Sequence, residues 1–130
     1  MENQNIKLLI VEDDQFLREF YQELFMGEGY QVDVASDGEI AFKKITENKY
    51  NLILLDIMLP KKDGLQILRE LKAAGKMPGL RVVALTNLGQ DIVIKEAFDL
   101  GAEGYMIKSA LNPDQVLTEV KSYLSKTPNG

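Results

Sequence analysis

With 130 residues the chain has room for one domain and a single core, near the modal domain size. Its 45% hydrophobic and 27% charged content fit an ordinary globular protein, and a net charge of -5 argues against direct nucleic-acid binding, which needs a basic face. Cysteine and histidine are both absent, which excludes a disulfide frame, a thiolate metal site, a thiol nucleophile, a histidine base and an imidazole ligand. No apolar run approaches the ~20 residues of a membrane span, and Met1-Glu2-Asn3-Gln4-Asn5 does not read as a signal peptide. The expected location is the cytoplasm, with no membrane partner.

Apolar strands alternate with amphipathic helices from end to end. The first strand, Lys7 to Val11, stops on Glu12-Asp13-Asp14. Asp14 is placed to cap a helix whose Phe16, Leu17, Phe20, Tyr21, Leu24 and Phe25 form a stripe, and Gly27-Glu28-Gly29 stops it. The second strand, Gln31 to Ala35, alternates and suits a sheet edge. Asp37 caps a helix from about Gly38 to Glu47 with Ile40, Ala41 and Ile45 facing inward. The third strand, Leu52 to Leu55, ends on Asp56, and the helix after it carries Leu65, Ile67, Leu68 and Leu71 to a stop near Gly75. Arg81 to Leu85 is the fourth strand, followed by Thr86 and by a helix from about Gln90 to Leu100. Gly104 to Ile107 is the fifth, followed by Lys108 and a helix opening at Pro113 with Val116, Leu117, Val120 and Leu124 inward. The tail beyond Lys126 is polar.

Five β–α units with short connections imply an α/β fold: a doubly wound parallel sheet with helices on both faces, since each right-handed crossover must be covered. One domain is expected over residues 1–130, with its core about 6–125. The pattern leaves the strand order open.

In such a sheet the binding crevice lies beyond the carboxyl ends of the strands. Those ends deliver Glu12, Asp13, Asp56, Thr86 and Lys108. Clustered carboxylates suit magnesium, which takes one or two of them and prefers a phosphate partner. A lysine and a hydroxyl opposite it are donors for phosphate oxygens. With no His or Cys in the chain, an aspartate able to form an acyl phosphate is the nucleophile such a pocket can offer.

These residues, with Leu59-Pro60 and Asp63-Gly64 in the loop after the third strand, resemble the receiver domain of bacterial two-component response regulators over essentially the whole chain. The resemblance implies a flavodoxin-like strand order 2-1-3-4-5, which the pattern alone does not give. It implies that Asp56 is the phosphoacceptor, that Asp13 ligates Mg2+ directly with Glu12 acting through water, and that the Met58 backbone carbonyl completes the protein ligands. Thr86 would be the switch hydroxyl, Tyr105 the aromatic that turns with it, and Lys108 the partner of the phosphorylated aspartate. The implied partners are a sensor histidine kinase or phosphotransfer protein, and downstream a protein effector or a removed output domain.

Two positions depart from the family pattern. Ser109 stands where proline usually follows the lysine, so a trans bond is expected there, and Asn87 replaces a usually small residue. Met58 and Leu88 offer no polar group to orient a hydrolytic water, so slow self-dephosphorylation is expected. Three competing readings are weaker. An aspartyl-phosphate phosphatase wants a second acid where Met58 stands, and a docking module without phosphorylation has no use for the full acid set. A nucleotide-binding fold needs glycines where Glu12-Asp13-Asp14 lies. The expectation is a phosphorylation switch rather than an enzyme.

Overall fold

A computed structural model of the chain describes residues 5–59, 61–87, 90–108 and 112–126. Its elements alternate strictly: β1 (Lys7–Val11), α1 (Gln15–Gly27), β2 (Gln31–Ala35), α2 (Gly38–Glu47), β3 (Leu52–Asp56), α3 (Gly64–Ala73), β4 (Val82–Thr86), α4 (Asp91–Asp99), β5 (Gly104–Ile107) and α5 (Pro113–Ser125). The five strands form one sheet in the order β2-β1-β3-β4-β5, parallel at every pairing. This is the flavodoxin-like doubly wound fold.

The alternation of side chains along each strand builds two cores. On one face Leu9, Val11, Ile53, Leu55, Val82 and Ala84 pack with residues of α2, α3 and α4. On the other, Leu8, Ile10, Leu52, Leu54, Val83 and Leu85 pack with Tyr21 and Phe25 of α1 and Val116, Val120 and Tyr123 of α5. Strands β1, β3 and β4 are buried on both faces, which is why their sequences read as unbroken apolar runs. The outer position of β2 leaves Val32, Asp33 and Val34 only half-covered, in keeping with its alternating sequence.

Asp14 and Asp37 cap their helices as expected, and Asp63 and Asn112 cap two more. Asp14 Oδ1 accepts from Leu17 N at 3.0 Å, and Asp37 Oδ1 accepts from Ile40 N at 2.9 Å. Asp63 caps α3 through Gln66 N, and Asn112 forms a reciprocal capping box with Gln115 at the head of α5.

Two inward assignments need correction. Phe16 is 78% exposed and Ile40 is 40% exposed, so neither joins the core. Both fit the apolar spacing of their helix but stand outside the two packed cores. On α2 the half-buried Phe42 packs against the core beside Ala41 and Ile45. Strands β3 and β4 each run one residue further than the apolar run, because Asp56 and Thr86 still pair in the ladder, with Leu85 and Ile107. Among the described residues there is no cis peptide bond. The Lys108–Ser109 bond, Pro60, Leu88 and the polar tail lie outside the described residues.

Candidate functional site: an acidic cleft at the carboxyl end of the sheet

Parallel strands end together, so the residues at and just past the carboxyl ends of β1, β3 and β5 meet in space. Glu12 and Asp56 are almost fully buried, at 0% and 1% exposed, whereas Asp13 faces solvent. One carboxylate oxygen from each of the three lies within 4.8 Å of the others. Together with Asp14, Leu17, Met58, Asn87 and Lys108, they line one cleft.

Lys108 reaches into this cluster from the end of β5. Its Nζ donates to Asp56 Oδ2 at 2.6 Å and to Glu12 Oε2 at 3.2 Å, and it lies 2.9 Å from Glu12 Oε1. The last approach is close but poorly aligned, and Glu12 Oε1 is a buried oxygen with no hydrogen bond. We take the contact as Coulombic attraction without a bond. Burial pushes the Glu12 carboxyl up to about 7, with the Asp56 charge adding to the rise, while the Lys108 and Asp14 hydrogen bonds pull it down. Burial works against the Lys108 ammonium, but hydrogen bonds to Asp56 and Glu12 outweigh it and hold its pKa above the usual lysine value.

The main chain fixes Asp56 as firmly as the lysine does. Met58 N donates to Asp56 Oδ1 at 2.9 Å, so both oxygens of this buried carboxylate are held. Gly64 N donates to Ile57 O at 2.9 Å, drawing the start of α3 against the end of β3. A Cβ on Gly64 would sit 2.6 Å from Asp56 O, so this close approach requires glycine. The Asp63-Gly64 pair therefore has two separate duties, a cap and a contact.

Met58 is 58% exposed and its side chain forms part of the rim. Thr86 is buried, and its Oγ1 donates to Asn87 O at 3.2 Å rather than reaching Asp56. Tyr105 is 42% exposed and meets Phe98 of α4 edge-on, with ring centroids 6.2 Å apart. The structure thus brings Glu12, Asp13, Asp56, Met58 and Lys108 to one cleft, sets Thr86 at the neighbouring strand end, and leaves Tyr105 on the outer side of β5. One contributor has no signal in the sequence. Arg18 of α1 donates from Nη1 to the carbonyls of Glu12 at 3.0 Å and Asp13 at 3.3 Å.

The donor set is all oxygen, with one buried oxygen that has no hydrogen bond and three clustered carboxylates of which only Glu12 and Asp56 pair with the lysine. Hard divalent cations suit such a set. Glu12, Asp13 and Asp56 therefore form a cluster that could hold a metal ion.

A family model described as the response regulator receiver domain matches residues 8–121, and the chain belongs to that family. Transcriptional regulatory protein DltR of Streptococcus agalactiae is 37% identical over 117 residues, which cover 89% of this chain and 50% of DltR. The chain spans about half the length of the curated relatives it matches. Among solved structures, a two-component response regulator from Clostridium difficile superposes with a TM-score of 0.84 at 28% identity, covering 96% of this chain and 100% of that one. TrrA of Thermotoga maritima, solved in complex with Mg(2+)-BeF, gives a TM-score of 0.76 at 30% identity, covering 91% of this chain and 98% of its own. No described helix is long and apolar enough to cross a membrane.

Proposed function

We propose that the chain is a phosphorylation switch in which Asp56 accepts a phosphoryl group in a magnesium-dependent reaction. The observation that carries this reading is the setting of Asp56: buried, held at one oxygen by Lys108 and at the other by Met58 N, and flanked by Glu12 and Asp13. In an in-line transfer an Asp56 oxygen bonds to phosphorus as the donor's bond to phosphorus breaks. Lys108 neutralises charge on the phosphoryl oxygens and keeps Asp56 oriented. A magnesium ion, bound by Asp13 and Asp56 and the Met58 carbonyl with Glu12 acting through water, would supply further charge neutralisation there.

The donor is a phosphohistidine of a sensor histidine kinase or phosphotransfer protein. DltR is named a transcriptional regulatory protein and is twice the matched length, so an output domain or a separate effector protein fits downstream. Thr86 and Tyr105 form the switch. In the structure Thr86 Oγ1 is engaged by Asn87 O and Tyr105 lies out against Phe98, which is the arrangement expected before phosphorylation. A phosphoryl dianion on Asp56 draws Thr86 inward and lets Tyr105 follow, biasing the α4-β5-α5 face. The chain turns over no substrate beyond its own phosphorylation and slow hydrolysis. It acts as a switch, not an enzyme.

Incubation with a small acyl phosphate and magnesium tests this. Intact-mass analysis is expected to show one added phosphoryl group, absent from Asp56→Asn. Equal labelling of that variant would overturn the assignment.

A further inference from the structure

We propose that Arg18 is a positioning residue that sets the acidic turn for its cation. This inference rests on the magnesium site proposed above and adds a residue outside its ligand set. The turn from Glu12 to Asp14 joins a buried strand to a helix, and its polar main-chain groups are tied one by one. Glu12 N donates to Ala35 O at 3.1 Å, Asp14 N donates to Glu12 Oε2 at 3.1 Å, and Leu17 N donates to the Asp14 side chain. The carbonyls of Glu12 and Asp13 would be left to water, and Arg18 Nη1 takes both.

Two features make this more than a surface contact. A cation near the start of α1 runs against the helix dipole, so the position gives Arg18 no helical advantage. Among the described residues no carboxylate pairs with Arg18. Its hydrogen bonds go to the peptide groups that bear Glu12 and Asp13, and the carboxylates themselves stay turned to the cleft. With both peptide planes pinned, the Asp13 side chain starts from a fixed backbone although nothing else among the described residues restrains it. Groups that orient metal ligands without touching the metal typically change affinity by about 10–100-fold when removed.

The sign of the effect separates positioning from charge. Removing a cation beside a divalent ion strengthens binding by Coulomb's law alone. Loss of positioning weakens it. Calorimetric titration of magnesium chloride into wild type, Arg18→Gln and Arg18→Lys reads the difference directly, with melting temperatures in the absence of magnesium recorded for each. We expect Arg18→Gln to bind magnesium about tenfold more weakly while remaining folded. Arg18→Lys, which keeps the charge and can offer hydrogens to both carbonyls at a shorter reach, falls between. Unchanged or tighter binding by Arg18→Gln would overturn the proposal, as would an Arg18→Lys variant no better than Arg18→Gln. If wild type binds magnesium and is labelled on Asp56 while Arg18→Gln matches it in both, the positioning role fails and the site reading stands. If wild type does neither, the site reading itself has failed and this inference with it.

Discussion

Covered charges lie at both ends of the sheet, and the two ends balance them differently. At the amino-terminal end Arg81 meets Glu103 in a forked pair, Nε to Oε1 at 3.0 Å and Nη2 to Oε2 at 3.4 Å, with side chains only 12% and 13% exposed. Arg81 Nη2 also donates to the carbonyl of Tyr123 in the last turn of α5, which accepts from Lys126 N as well. Gly104 leaves space for the Tyr123 ring, since a Cβ there would collide with the Tyr123 hydroxyl. One cation and one anion cancel, and a helix end is tied to the sheet. At the carboxyl end a single lysine serves two buried carboxylates, a third has no ion-pair partner among the described residues, and Glu12 Oε1 has no hydrogen bond. The same chemistry closes its charges at one end and leaves a negative surplus at the other.

If that contrast holds, removing an acid should have opposite signs at the two ends. Glu103→Gln leaves Arg81 under cover without its counter-charge and is expected to cost about 2–3 kcal/mol of stability by chemical denaturation. Glu12→Gln removes a charge that its surroundings disfavour and is expected to gain about 1–2 kcal/mol at pH 8 without magnesium. A loss at Glu12, or no loss at Glu103, would break the comparison.

The pH dependence sharpens it. The folded Glu12 carboxyl lies at about 7, above its ordinary 4.5. In that window the folded state binds the proton more tightly than the unfolded chain does, so this group's contribution to stability falls as pH rises. The stability difference between Glu12→Gln and wild type should be near zero below pH 4.5, grow through the window and level off above about 7. A difference flat with pH would remove burial as the cause. The smallest effect concerns α1. Phe16 is 78% exposed, so Phe16→Ser should change stability by no more than about 0.5 kcal/mol.

Much of this was legible in the sequence because parallel strands buried on both faces must be continuous apolar runs. The run Leu52 to Leu55 stops at Asp56 for a chemical reason, which located one wall of the cleft before any geometry was known. The ladder nevertheless includes Asp56 and Thr86, since main-chain pairing does not end where hydrophobicity does. Phe16 and Ile40 misled because helical spacing identifies a stripe but not which of its members the core covers. Arg18 and the Arg81–Glu103 pair were invisible for another reason. Their partners are main-chain carbonyls or a residue 22 positions away, and neither leaves a pattern in local sequence.

The carboxyl end of the sheet thus holds an acid surplus that could take up a metal ion. Thermal melting of wild type and Asp13→Ala at pH 8, with and without millimolar magnesium, tests this most directly, because a ligand bound only to the folded state must raise its melting temperature. A clear magnesium-dependent rise is expected for wild type, and little or none for Asp13→Ala. An equal rise in both, or none in wild type, would contradict it.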